Sequence, residues 1–92
     1  MSINGIYKLI EPNKYQSQNG TGLIVSKRKN AKAGMSSHYL LMVDANGNRD
    51  YLSSLYLVSP GIFNIEVNRN RYRVTITNDE LVINCAKQTQ TQ

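Results

Sequence analysis

The sequence predicts an all-β protein: a small antiparallel, strongly bent sheet or partly open barrel of six or seven short strands, with at most one short helical turn. Three observations carry this reading. Apolar and polar residues alternate with period two from Ile62 to Cys85, the mark of strands with one buried face. His38 to Val43 is a continuous apolar run of strand length. Turn signals recur at intervals of roughly ten residues, among them Glu11-Pro12-Asn13, Asn46-Gly47, Ser59-Pro60-Gly61 and Asn78-Asp79.

The stretch from Ile62 to Cys85 reads as a three-stranded meander. Phe63, Ile65 and Val67 share one face, as do Tyr72, Val74 and Ile76, and then Leu81, Ile83 and Cys85. A two-residue turn at Arg69-Asn70 sets Val67 opposite Tyr72, Ile65 opposite Val74 and Phe63 opposite Ile76. It also sets Glu66 opposite Arg73 on the outer face. A turn at Asn78-Asp79 sets Ile76 opposite Leu81, Val74 opposite Ile83 and Tyr72 opposite Cys85. Both registers keep apolar opposite apolar, and a slip of one residue destroys the agreement.

Upstream, residues 5–10 form a first strand, with Ile6, Lys8 and Ile10 on one face and Tyr7 and Leu9 on the other. Pro12 and Asn13 end it. Residues 14–22 are rich in Asn, Gln and Gly and read as a loop. Thr21 to Val25 reads as a short strand buried on both faces. Ser26 to Ser37 holds charge and small residues, with Met35 its one sizeable apolar anchor, so it reads as an exposed, mobile connection. After His38–Val43, Asn46-Gly47 is the strongest hairpin signal in the chain, setting Asp44 opposite Arg49 and Leu41 opposite Leu52. Leu52, Leu55 and Tyr56 fit helical spacing with Asp50 as a cap, yet residues 51–58 fit an extended strand as well. One domain covers residues 1–86, in the general style of SH3-like or OB-like modules, and the polar tail 87–92 is expected to fray.

Eleven basic side chains stand against six acidic ones, a net charge of +5. Lys27, Arg28, Lys29 and Lys32 lie in one acid-free stretch, and Arg69, Arg71 and Arg73 surround one hairpin. With those seven set aside, the rest of the chain nets −2. Charge clustered in this way points to an anionic partner; the bland alternative is a solvated loop and a strand edge made positive against aggregation. A single cysteine, no apolar run of membrane-spanning length and no basic leader before an apolar core fit a cytoplasmic protein.

Catalytic chemistry has little to work with. One histidine and one cysteine cannot make a structural zinc site. A Cys-His nucleophile needs His38 beside Cys85, and Cys85 reads as a buried, inert thiol on an inward face. Glu66 and Asp44 have basic partners in the expected registers, and Asp79 and Glu80 belong to a turn, so no carboxylate pair is set up for acid–base work. Neither a P-loop nor a dinucleotide fingerprint occurs. The reading is a non-enzyme with no cofactor, no metal and no small-molecule substrate.

What remains is basic side chains with tyrosines between and around them. Arg71-Tyr72-Arg73 is the densest instance, but alternation turns Tyr72 inward and the arginines outward, so it is not a stacking platform. The expected function is binding through Lys27, Arg28, Lys29, Lys32, Arg69, Arg71 and Arg73 to nucleic acid or a nucleoprotein. The alternative is a protein-only module that meets an acidic partner surface or pairs through an exposed strand edge. In its length, its Asn/Gln-rich all-β character, its loop K-R-K-N-A-K and its hairpin R-N-R-Y-R, the chain resembles small phage-encoded inhibitors of the anti-CRISPR type. That likeness, one of character over the whole chain, implies an inhibitor in the host cytoplasm that blocks guide RNA or the DNA path of an RNA-guided complex.

Overall fold

The computed structural model describes residues 3–30, 32, 33 and 36–85. Met35 and the tail beyond Cys85, on which two expectations rested, lie outside the described residues. Eight strands run β1 (Gly5–Glu11), β2 (Lys14–Gln16), β3 (Gly22–Lys27), β4 (His38–Val43), β5 (Arg49–Ser59), β6 (Ile62–Val67), β7 (Asn70–Ile76) and β8 (Glu80–Cys85). Each pairs antiparallel with its neighbours in sequence, and β1 pairs antiparallel with β8, closing a barrel. There is no helix among the described residues.

The fold class is therefore all-β and antiparallel, as the alternation predicts, but six or seven strands in a partly open barrel is corrected to eight in a closed one. Closure itself requires an even number. When every neighbour is antiparallel, first and last strands run oppositely only if the count is even, and closure removes the free edges an open sheet would expose. The order is a plain up-and-down meander rather than the arrangement of SH3-like or OB-like modules.

The missed strand is β2, inside the stretch expected to be a loop. It is three residues long and only Tyr15 faces inward, so there is no period to read. Asn13, with φ of 67°, turns the chain sharply enough to bring Lys14 back beside Glu11, and Tyr15 then sits between Leu9 and Leu23. In β3, Leu23 is fully buried but Ile24 and Val25 are half-buried, not enclosed on both faces as expected. Residues 51–58 are extended, which settles the choice between helical turn and bent strand. A β-bulge at Leu52 lies between the pairs Leu40–Ser53 and Leu41–Tyr51, and the extra residue gives Leu52, Leu55 and Tyr56 their misleading spacing.

The β7–β8 register is as expected, Tyr72 opposite Cys85 through Ile76 opposite Leu81. The β6–β7 register is corrected by two residues. The turn is Asn68-Arg69, both with positive φ (52° and 68°), as a two-residue hairpin turn of the primed kind requires. Ile65 therefore faces Tyr72, Phe63 faces Val74 and Glu66 faces Arg71. Arg73 lies opposite Asn64 and donates from Nε to its Oδ1 at 2.9 Å, so the expected Glu66–Arg73 pair does not form.

The Asn46-Gly47 turn is also wider than expected. Val43, not Asp44, faces Arg49, and Leu41 faces Tyr51 rather than Leu52. Asp44 instead closes the loop, accepting the Asn46 and Asn48 N–H groups at 2.9 Å each.

Inward side chains fill the barrel: Leu23, Leu40, Ile65, Val74, Leu81 and Ile83 are fully buried, with Tyr7, Tyr15 and Leu55 nearly so. Burying a side chain of this size stabilises by about 1.5–3 kcal/mol. Tyr7 keeps its hydroxyl satisfied by donating to the Ile3 carbonyl at 2.7 Å. Cys85, expected to be buried, is exposed, because its rung with Tyr72 lies beyond Ile83, where the core ends. Where β5 and β6 part below Tyr56, the buried Ser53 hydroxyl accepts the Glu66 N–H at 3.2 Å in place of a ladder bond.

Candidate nucleic-acid interface

The topology decides which basic residues can act together. Chain direction alternates around the barrel, so the connections after β1, β3, β5 and β7 lie at one end and those after β2, β4 and β6 at the other. The basic stretch that follows β3 is thus at the opposite end from the Asn68-Arg69 turn. β3 and β7 also stand four strands apart in a ring of eight, on opposite sides. The seven expected site residues form two separate clusters. His38 on β4 and Cys85 on β8 are likewise across the barrel from each other, which removes any Cys-His pair.

At the first cluster, the Arg28 N–H donates to the Ser37 carbonyl at 2.8 Å and closes the base of the β3–β4 connection. Its half-buried side chain folds back over the outer face of β4 and β5. Nε donates to the Ser36 carbonyl at 3.0 Å, and Nη2 reaches Ser54 Oγ at 2.6 Å and the Tyr51 hydroxyl at 3.4 Å. The guanidinium carbon lies 5.1 Å from the centre of the Tyr39 ring, a cation–π contact. Tyr39 in turn packs against Tyr51, with ring centres 5.8 Å apart and planes tilted by 35°. The Tyr51 and Ser54 hydroxyls are 2.9 Å apart.

The bulge builds this cluster. Without the extra residue, Tyr51 and Ser54, three apart in a strand, would point to opposite faces. With Leu52 inserted, Tyr51 opposite Leu41 and Ser54 opposite Tyr39 share the outer face. The loop is tied down from the other side. The Ser36 hydroxyl lies within donating reach of the carbonyls of His38 (2.7 Å) and Leu55, giving its one proton to either, and accepts the His38 N–H at 3.3 Å.

The result is an open groove of about 650 Å³ bordered by Lys27, Arg28, Lys29 and Asn30 on the loop side and by Tyr39, Leu41 and Tyr51 on the barrel wall. Lys32 is exposed farther along the same connection. Lys27, Arg28, Lys29 and Lys32 make no ion pair with a carboxylate among the described residues; the two pairs found are Lys8–Glu80 and Lys14–Glu11. Compared with family models, curated proteins and solved structures, the chain has no match in any of the three. The reading of the groove therefore rests on its own geometry.

At the second cluster, Arg69 occupies the turn itself, Arg71 and Arg73 project from the outer face of β7, and all three are exposed. Among the described residues no aromatic ring contact accompanies them, and Tyr72 faces inward, half-buried against the core, as alternation predicts. A more enclosed cleft between β2, β3 and the β4–β5 turn holds about 220 Å³. Among the described residues no group of three or more His, Cys, Asp or Glu side chains could hold a metal ion.

Tyr39 and Tyr51 are the site residues that sequence reasoning passes over. One signal for them was available. The Asn46-Gly47 hairpin register, continued up β4, sets Tyr39 opposite Ser54, as observed. Only the bulge, invisible in the residues, brings Tyr51 to the same face.

Proposed function

We propose that the protein is a non-catalytic binder of nucleic acid that seats phosphates on Lys27, Lys29 and Lys32 around the Arg28–Tyr39–Tyr51 groove. The observation that carries this reading is a group of cations that make no ion pair with a carboxylate among the described residues, set beside two tyrosine rings on one open surface. Lysine ammonium groups on flexible stems make point contacts with phosphate and tolerate variation in its position. Arg28 acts as a positioning residue: it keeps its charge at the groove while its donors fix the loop to the barrel wall. In the setting implied by the likeness to small phage inhibitors, the ligand is the guide RNA or the DNA path of an RNA-guided complex, and inhibition is occupation of that path. Arg69, Arg71 and Arg73 then serve as a second, separate contact.

The test is fluorescence anisotropy with a labelled oligonucleotide across a salt series, for wild type and for Lys27, Lys29 and Lys32 replaced together by alanine. Each lost phosphate contact is expected to lower the slope of log affinity against log salt by about 0.7–0.9. The same affinity and slope in the triple variant would remove the groove from the interface. Binding that survives nuclease treatment of a captured partner and is lost in the variant would favour an acidic protein surface instead.

A further inference from the structure

We infer that the groove holds an unpaired nucleobase stacked on Tyr51, so that the protein selects single strands over duplex; the inference rests on the nucleic-acid reading above. Tyr51 is 58% exposed, although it stands in a strand on the wall of a closed barrel. One side of the ring is backed by Tyr39, 5.8 Å away. The hydroxyl is held by Ser54 at 2.9 Å, and Arg28 caps the Tyr39 ring. The exposed aromatic surface is thus held in place before a ligand arrives, and little side-chain freedom is left to lose on binding.

The surroundings fit an unpaired nucleotide better than a duplex. A duplex presents phosphates and base edges and keeps the flat faces of its bases stacked inside. An aromatic wall rewards only a base whose face is free. Lys27 and Lys29 stand on the opposite border of the same groove, where they can reach the phosphates of a strand whose base lies on Tyr51. The Asn30 side chain on that border offers one acceptor and two donors to a base edge or a sugar hydroxyl. The shared chemistry is a base with its flanking phosphates, whether the sugar is ribose or deoxyribose.

The experiment compares four ligands of equal length and charge per strand: a mixed-sequence single strand as RNA and as DNA, the DNA duplex of the same sequence, and an abasic strand. The single strand is expected to bind roughly 5- to 150-fold more tightly than the abasic strand, the range of one base–aromatic stack. Tyr51→Leu should remove that advantage, so that base-bearing and abasic strands bind the variant alike. Tyr51→Phe keeps the ring and should keep most of the preference for the base-bearing over the abasic strand, which separates stacking from loss of the hydroxyl bonds. Tighter binding of either the RNA or the DNA strand identifies the sugar and supports the inference equally. The duplex is expected to bind no more tightly than the abasic strand, and duplex binding as tight as the single strand's, or equal binding of base-bearing and abasic strands by wild type, overturns the inference while leaving the phosphate reading standing. Failure of every strand to bind overturns both.

Discussion

Arg28 is where the fold and the groove depend on one side chain, and Arg28→Ala measures how much. The substitution removes the bonds to the Ser36 carbonyl and to Ser54 Oγ, and the cation–π contact with Tyr39. Hydrogen bonds from a charged donor contribute about 1.5–3 kcal/mol each. A cation–π contact at a partly exposed site adds about 0.5–1 kcal/mol. These values need reducing here. Arg28 is half-buried, so solvent weakens each contact. The bond to the Ser36 carbonyl is only part-buried. Ser54, though only 8% exposed, keeps the Tyr51 hydroxyl at 2.9 Å and is not orphaned.

The expected net loss is about 2 kcal/mol, which for a domain of this size lowers the melting temperature by roughly 8–16 °C. Arg28→Lys restores the charge over Tyr39 but not the fork of donors, and should fall between the two. Thermal unfolding followed by circular dichroism, checked against urea titration, reads both variants. A fall of less than about 3 °C for Arg28→Ala would refute the clamp. The guanidinium would then be a free ligand-side group, and Ser36 together with the Arg28 N–H bond to the Ser37 carbonyl would hold the loop.

Three further outcomes are expected. Gly61→Ala should cost about 1–2 kcal/mol, because φ there is 80° and a Cβ would stand 3.1 Å from the Ile76 carbonyl oxygen. Gly47→Ala, at φ 86° with open space around it, should cost less, and equal urea midpoints for the two would refute the steric part. The Asp44 carboxyl is held below its ordinary pKa chiefly by the Asn48 N–H, so its stabilisation is complete above that ordinary value and is lost as pH falls through the lowered native one. Asp44→Ala should therefore be destabilising near about pH 6 and progressively less so toward about pH 2; a constant gap in urea midpoint would assign the effect elsewhere. Replacing Arg69, Arg71 and Arg73 by alanine should leave the affinity of a short single strand unchanged, since distant sites act independently. A loss matching that of the lysine variant would mean that one ligand path joins both ends of the barrel.

Much of this architecture is legible in the residues, and what is not has specific causes. Alternation in β6, β7 and β8 fixes which side chains face inward, and it survives the register error between β6 and β7. A shift of two residues keeps every side chain on its own face. What alternation cannot tell is whether Asn68-Arg69 or Arg69-Asn70 turns the chain, because both pairings leave apolar opposite apolar. The strand β2 is hidden for the opposite reason: with one inward residue it has no pattern at all. The bulge at Leu52 both disguises β5 as a helical turn and creates the Tyr39–Tyr51 face. The basic stretch of the site is therefore plain in the sequence, while its aromatic half depends on a backbone irregularity.

The distribution of the acids explains why the groove stays positive. The chain has six carboxylates, and four are engaged elsewhere. Glu80 bonds Lys8 at 2.8 Å and Glu11 stands 3.5 Å from Lys14, so two of the acids serve to fasten β1 to β8 and β2. Asp44 closes the β4–β5 turn, and Asp79 accepts from Thr77 in the β7–β8 turn. Asp50 and Glu66 lie opposite Met42 and Arg71, away from the β3–β4 connection. Nothing in the barrel's packing requires Lys27, Lys29 or Lys32, none of which contributes to the core. Placed within a few residues of one another with no acid between them, like charges repel, and the repulsion is screened as salt rises. With no role in the core to offset that repulsion, replacing Lys27, Lys29 and Lys32 together by alanine should leave the melting temperature unchanged or slightly raised, and a clear fall would show that these side chains support the fold.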